Sequence, residues 1–547
     1  MTRRATASRR PSGGLALAAI CLGQFMAVLD TTIVNVALPA IRRSLALSVV
    51  DLQWVMNAYL LTFGGLLLLG GRLGDHFGRR RVYLIGAVLF SLASLAGGFS
   101  PSGAALITAR AIQGIGAALL TPGTLSLLTA AYPEARARTR AIGIWSASTG
   151  SAASIGVLLG GVLTQALNWR WVLFVNVPLG VLVLLLGGIA LSESRGSDDG
   201  AAKRLDVPGA LLITAAMTLL VYAVVDTDAH PWGSAHTLIP LCASVALLAL
   251  FALVEVRTRD ALVPISILRR RAVASGVLAV SLFGVLLTGT YYFLSLYLQG
   301  PRGLSPLDAG LAFLPATVVS VLASASGSRL CARFGPRVPL AFGLTCSTLA
   351  LVWLSRVGVH GSLVTTALLP SALFGIGTGL CFVCVTVLVT SAVERREAGL
   401  ASGMINAGRQ IGGSIGLAGL SVLAATRAHD LLAIHPGAPL AASASGYGRA
   451  FLVASAIGVI AVLVVITLAR VHPTPASVAV ASGAVEYPAA PSEDMAPPKR
   501  QANQPRPRGT TNHIVLITAL AALALVLVRT LRRASDEPSS EGSSPRR

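Results

Sequence analysis

The sequence predicts an all-α polytopic membrane protein, and three observations carry that prediction. The first is composition. Of 547 residues, 54% are apolar and 12% charged, and mean hydropathy is +0.74. Soluble domains carry roughly 25% charged residues, so an ordinary cytosolic enzyme is excluded. A disordered chain needs low hydrophobicity and is excluded too. The second is run length. Apolar runs such as 82–99 and 172–191 are nearly continuous. A helix needs ~20 such residues to cross ~30 Å of hydrocarbon, whereas barrel strands alternate over about ten. The third is charge placement. With the N-terminus inside, the inner loops and N-terminal tail hold 24 Lys and Arg and the outer loops 7. Basic residues favour the cytoplasmic side, so both ends of the helical body lie there, in the inner (cytoplasmic) membrane.

The elements follow in order. A basic cytoplasmic tail, 1–13, carries Arg3, Arg4, Arg9 and Arg10. Segment 14–36 is too long for a cleaved signal peptide, contains Asp30 and lacks a convincing cleavage site. Segments 53–71 and 82–99 flank a short basic loop, and 104–126 and 141–164 flank another with Arg136, Arg138 and Arg140. Segment 172–191 completes an N-terminal six-helix bundle, 14–191, with Trp169 and Trp171 at its interfacial end. A cytoplasmic loop, 192–207, leads to two further segments, 208–225 and 237–254, forming an inserted pair over 208–254. The basic cytoplasmic loop 255–273 leads to the C-terminal six-helix bundle, 274–470. Its segments are 274–298, 309–328, 338–355, 363–391, 399–424 and 450–469.

An internal repeat relates the bundles. GRLGDHFGRRR at 71–81 and SRLCARFGPR at 328–337 are both short basic loops one helix pair into a six-helix block. Duplicated bundles are common in secondary transporters, whose sites lie near the midplane. The Pro/Ala-rich stretch 471–513 reads as disordered. Beyond it, 514–528 is apolar except Thr518, within a possible membrane helix 514–533, and a polar tail 534–547 follows. Fifteen residues span ~22 Å, which leaves a fifteenth spanning helix and an interfacial helix as alternatives.

Four motifs carry chemistry. LDTTIVNVALP at 29–39 puts Asp30 within a spanning helix. A charge there costs ~2.5–3.5 kcal/mol on insertion scales and must face protein or water. Burial disfavours a carboxyl's charged form, so such a group can bind and release a proton. Arg110 and Gln113 share one helix face, with Arg110 expected to pair with Asp30 if their helices are adjacent. In the loop 71–81, Gly71, Gly74 and Gly78 permit close approach and a sharp turn. Asp75 there accepts from an Arg or a helix N-terminus, a latch for bundle rocking with Arg79. Gly156, Gly160 and Gly161 give a small-residue face for tight helix packing. Asn35, Gln113, Asn406, Arg409 and Gln410 are candidates to line a substrate cavity.

Taken together these residues resemble the major facilitator superfamily, specifically its fourteen-helix drug:proton antiporters. Residues 29–39 look like that branch's helix-1 signature. Residues 71–81 are similar to the superfamily loop motif, 110–116 to the helix-4 motif linked to proton transfer, and 156–161 to the helix-5 antiporter motif. The resemblance covers about residues 14–470. It implies the major facilitator fold, with two six-helix bundles, two inserted helices and 14 spanning helices. It also implies export of hydrophobic or amphipathic antibiotics by alternating access, with the proton as coupling ion. The chain departs from the pattern at Val157, where Pro is usual, and at Ala332, which stands where the first loop has Asp75.

Other classes fare worse. Aromatics are 5% and do not alternate with basic residues, which argues against nucleic acid as a partner. The eight histidines scatter over loops and tails, with no HExxH and no phosphate-binding Gly-Lys-Ser/Thr loop. Gly412, Ser414 and Gly416 match the letters of a nucleophile elbow but lie inside a helix, where the elbow needs a strand-to-helix turn. The six cysteines read as small packing residues. No enzyme, cofactor or metal is expected. The partners are a small-molecule substrate, protons and the bilayer, and one chain encloses one cavity as a monomer. A metabolite exporter of amino acids or siderophores, or a non-transporting sensor, is the alternative.

Overall fold

The computed structural model describes residues 13–194, 206–228, 230–258, 265–393 and 397–468. The N-terminal tail and everything proposed beyond 470, including the helix at 514–533, lie outside the described residues.

The described chain is helical throughout and contains no strand. Its spans are α1 Gly13–Ser44, α2 Val49–Phe77, α3 Arg79–Gly98, α4 Gly103–Ala131, α5 Ala135–Ala166, α6 Trp171–Ala190 and α7 Val207–Val225. Then come α8 Ala235–Arg257, α9 Arg271–Gln299, α10 Pro306–Phe334, α11 Arg337–Leu354, α12 Val364–Thr390, α13 Ala398–Ile434 and α14 Pro439–Leu468. Thirteen are long and apolar enough to cross a bilayer, and α5 contributes the shorter apolar stretch Ser151–Ala166. Each predicted segment therefore has its helix.

Prolines account for the irregular turns. Pro178, Pro315 and Pro370 cannot donate to the carbonyl four residues earlier. The helix breaks at Val175 in α6 and at Phe313 in α10, and widens into a π-turn at Val364–Leu368 in α12. The turns that begin α2, α4, α8 and α10 are capped by Ser48, Ser102, Ser234 and Ser305, each accepting from a backbone N–H three residues on. Such a cap contributes about 1 kcal/mol.

The two loops of the repeat share a backbone feature. Both basic loops turn on a glycine with positive φ, Gly78 at 111° and Gly335 at 72°. The two bundles meet chiefly along three helix pairs. Helix α2 runs against α13, where Gly64 faces the Gln410 Cβ and Ser414 Oγ donates to Asn57 Oδ1 at 2.9 Å. Helix α1 meets α9, and α5 meets α10. The inserted α7 covers the α2–α13 seam with Met217, Leu220, Val221 and Val224 packed among Leu61, Ala418 and Val422. Helix α8 packs on α7, with Ser244 Oγ donating to the Ala216 carbonyl at 2.7 Å.

Candidate functional site

The chemistry centres on Asp30, which α1 buries completely. Its Oδ2 receives Arg110 Nη1 from α4 at 2.6 Å. Its Oδ1 receives Gln113 Nε2 at 2.8 Å and Asn176 Nδ2 from α6 at 2.9 Å. Three donors on two oxygens are the hydrogen-bond complement of a charged carboxylate. Ser94 of α3 ties the donors together. Its Oγ accepts from Gln113 at 3.1 Å and Asn176 at 3.0 Å and donates to the Leu173 carbonyl at 2.9 Å. Arg110 Nε donates to the Val55 carbonyl of α2 at 3.2 Å, and its guanidinium stands 4.4 Å from the Tyr59 ring centroid. Five helices of one bundle thus converge on one ion pair.

Asn176, Ser94 and Tyr59 were not among the predicted site residues. Asn176 left a trace, an amide within an otherwise apolar segment. Ser94 left none, because serine is common in spanning helices and its partners are distant in sequence. Gln113 needs correction. Expected to line a substrate cavity, it is 1% exposed and sits inside the Asp30 network. The i, i+3 spacing put it beside Arg110, and both face into the N-terminal bundle.

In the loop 71–81 the roles of the glycines differ from expectation. Asp75 pairs with Arg79 of its own loop, with Nη2 to Oδ1 at 2.7 Å. Only Gly78 needs the conformational freedom of glycine there. A Cβ on Gly71 would make ordinary contact with Pro122 at 3.5 Å. The glycine that admits α4 closely is its neighbour, Gly70, whose Cβ would collide with the Ala118 carbonyl. Glu193, which the sequence did not single out, completes the loop. Its Oε1 accepts from the Arg80 backbone N–H at 3.1 Å, and Arg81 Nε lies 3.6 Å from Oε2. A carboxylate is favourable at the N-terminus of α3, where the first N–H groups lack intrahelical partners.

The glycines of α5 divide by partner. A Cβ on Gly156 would strike Thr32 Oγ1, and one on Gly160 would lie 2.8 Å from the Ile33 carbonyl, so both seat α5 against the turn of α1 that follows Asp30. Gly161 instead faces the other bundle, 2.7 Å from the Pro306 carbonyl by the same measure. Val157, where the family pattern has Pro, lies within an unbroken α5, and its carbonyl faces Gly310.

The remaining candidates lie at the bundle interface. Asn35 is buried and its Nδ2 donates to the Thr31 carbonyl at 2.8 Å, while its backbone carbonyl accepts from Ser295 Oγ at 2.7 Å. Gln410 is buried opposite Gly64. Asn406 and Arg409 are half-buried and bonded to each other, Nη2 to Oδ1 at 3.0 Å. No group of metal-binding side chains occurs among the described residues.

Comparison with known proteins agrees with this architecture. The family profile of the Major Facilitator Superfamily matches residues 20–417. The chain is 39% identical over 449 residues to the puromycin resistance protein pur8 of Streptomyces alboniger, covering 81% of this chain and 88% of that one. It is 40% identical over 474 residues to the cephamycin export protein CmcT of Amycolatopsis lactamdurans, covering 86% and 96%. Among solved structures, a bacterial homolog of the human lysosomal transporter Spinster superposes with a TM-score of 0.60 at 17% identity, covering 85% of this chain and 100% of that one. The likeness of fold, the profile match and these identities make the chain a multi-pass membrane transporter that belongs to the Major Facilitator Superfamily.

Proposed function

We propose that this protein exports an antibiotic or another amphipathic small molecule, driven by inward proton flow through alternating access. It would do so in the cytoplasmic membrane with its N-terminus in the cytoplasm. The observation that carries the proposal is Asp30. It is the only carboxylate within the fourteen apolar segments, and it is paired with Arg110. The relatives named for puromycin resistance and cephamycin export support the substrate class.

Protonating Asp30 removes its charge and so its Coulomb attraction to Arg110, which is large in a low-dielectric interior. Arg110 then relies on the Val55 carbonyl, Gln113 and the Tyr59 ring. The helices held by the ion pair are released to rearrange. Asp30 is fully buried, so proton entry requires α1, α4 or α6 to move. Proton uptake and helix movement are therefore coupled.

The bundle contacts suit rocking. At the end away from the loop 71–81, Gln299 Nε2 donates to the Val36 carbonyl at 2.8 Å, and the Leu307 N–H donates to Gln165 Oε1 at 3.1 Å. These are few, neutral hydrogen bonds, each worth ~1 kcal/mol net, so the interface can open without breaking an ion pair.

The test uses inverted membrane vesicles containing the full chain, an imposed proton gradient and a panel of amphipathic antibiotics. Drug-dependent proton release from the acidic lumen, abolished in Asp30→Asn, is the expected result. Full transport by Asp30→Asn would remove Asp30 from the proton role. Silence across the panel would favour a metabolite exporter, and drug binding without counterflow a sensor.

A further inference from the structure

The N-terminal bundle balances the charge it carries into the membrane, and the C-terminal bundle does not. The fourteen apolar segments hold three charged side chains, Asp30, Arg110 and Arg409. The first two neutralise each other. Among the described residues, no carboxylate lies within ion-pair distance of Arg409. Its guanidinium donates once, to Asn406, and stands 4.8 Å from the Phe382 ring centroid. Its Nε is buried without an acceptor. Cation–π contact with Phe offsets only part of what removing an ion from water costs.

The side chains around Arg409 are half-accessible on one helix face. Ser402, Asn406 and Arg409 form one accessible stripe on α13, while Met404, Ile405, Ala407 and Gln410 on its other faces are buried. Phe382 of α12, 36% exposed, lies beside the guanidinium. Gln410, the residue after Arg409 on α13, faces Gly64 of α2 across the bundle interface. Depth follows from α2. Gly64, opposite Gln410, is five residues along the helix from Tyr59, whose ring meets the Arg110 guanidinium. At about 1.5 Å per residue, Gln410 lies roughly 7 Å closer to the loop 71–81 than that contact. Among the described residues, Arg409 shares no hydrogen bond with Asp30, Gln113 or Asn176; its bond is to Asn406.

We infer that Arg409 recognises amphipathic substrates that carry a carboxylate. The inference rests on the exporter reading and names its substrate class. A substrate carboxylate supplies the missing counter-charge and an acceptor for the unused Nε, in the geometry that guanidinium binds best. Phe382 offers an apolar face to the rest of the molecule, and Asn406 fixes the guanidinium plane through Oδ1. A cationic substrate has no equivalent, because the one carboxylate in these segments is enclosed by Arg110, Gln113 and Asn176.

Melting of the purified full-length chain in neutral detergent tests this, with two matched pairs of probes: fusidate and its methyl ester, and 1-pyrenebutyrate and its methyl ester. The carboxylates should stabilise the protein and the esters should not. Arg409→Gln should weaken carboxylate binding at least about tenfold, and Arg409→Lys should restore part of it. Arg409→Gln should itself melt no lower than the parent, because an uncompensated charge leaves the interior. Equal binding of acid and ester, unchanged affinity in Arg409→Gln, or no stabilisation by either carboxylate would each overturn the inference. Carboxylate binding that depends on Arg409 without proton counterflow in vesicles would sustain it and defeat the exporter reading instead.

Discussion

The Asp30–Arg110 pair should behave as one energetic unit, which a double-mutant cycle can measure. Both side chains are fully buried and their atoms stand 2.6 Å apart. Asp30→Asn keeps an acceptor for Gln113 or Asn176 but turns an N–H toward Arg110, stranding its charge. Arg110→Met leaves the carboxylate with only the two amide donors. Breaking one side of a buried pair costs about 3–5 kcal/mol, because the partner charge remains unpaired. Removing both charges avoids that penalty. The double variant should therefore be more stable than the sum of the singles predicts, by about 2 kcal/mol or more, at the upper end of coupling between contacting residues. Reversible unfolding in mixed micelles gives the four stabilities. Losses that add within about 0.5 kcal/mol would refute the ion pair as the organising contact of this bundle, whatever the variants do to transport.

Other outcomes follow from single contacts. Gly71→Ala should leave folding and transport near parental levels, whereas Gly70→Ala should lose folded protein in detergent, since only the latter meets the Ala118 carbonyl. Equal behaviour would show that the α2–α4 approach is not set there. Gly78→Ala should cost about 1–3 kcal/mol for its left-handed backbone, further raised by contact with Glu193, as read from unfolding in micelles. Asp75→Asn should slow turnover in reconstituted vesicles more than it weakens drug binding, and unchanged turnover would defeat the latch. Cys331 of α10 and Cys384 of α12 have sulfurs 3.0 Å apart within one bundle. An oxidant such as copper phenanthroline should join them with transport retained, because helices of one bundle move together. Loss of transport on cross-linking would show that α10 and α12 move relative to each other.

Hydropathy and charge bias are local quantities summed over a helix, so the sequence by itself determined fourteen helices, their order and the internal repeat. It also exposed Asp30, Arg110 and Arg409, because a charge stands out in an apolar run. It did not determine which charges meet. Asn176 reaches Asp30 across 146 residues and Ser94 joins through two amides, contacts with no local period. Small residues are equally silent: Gly70 and Gly71 are indistinguishable as letters, and only the placement of α4 makes one of them necessary. Glu193 follows the last N-bundle helix, and only the fold brings it to the N-terminus of α3. Tertiary structure also decided that Asp30 has a countercharge and that Arg409 has none among the described residues, because pairing depends on which helix faces turn toward each other, and hydropathy carries no record of that.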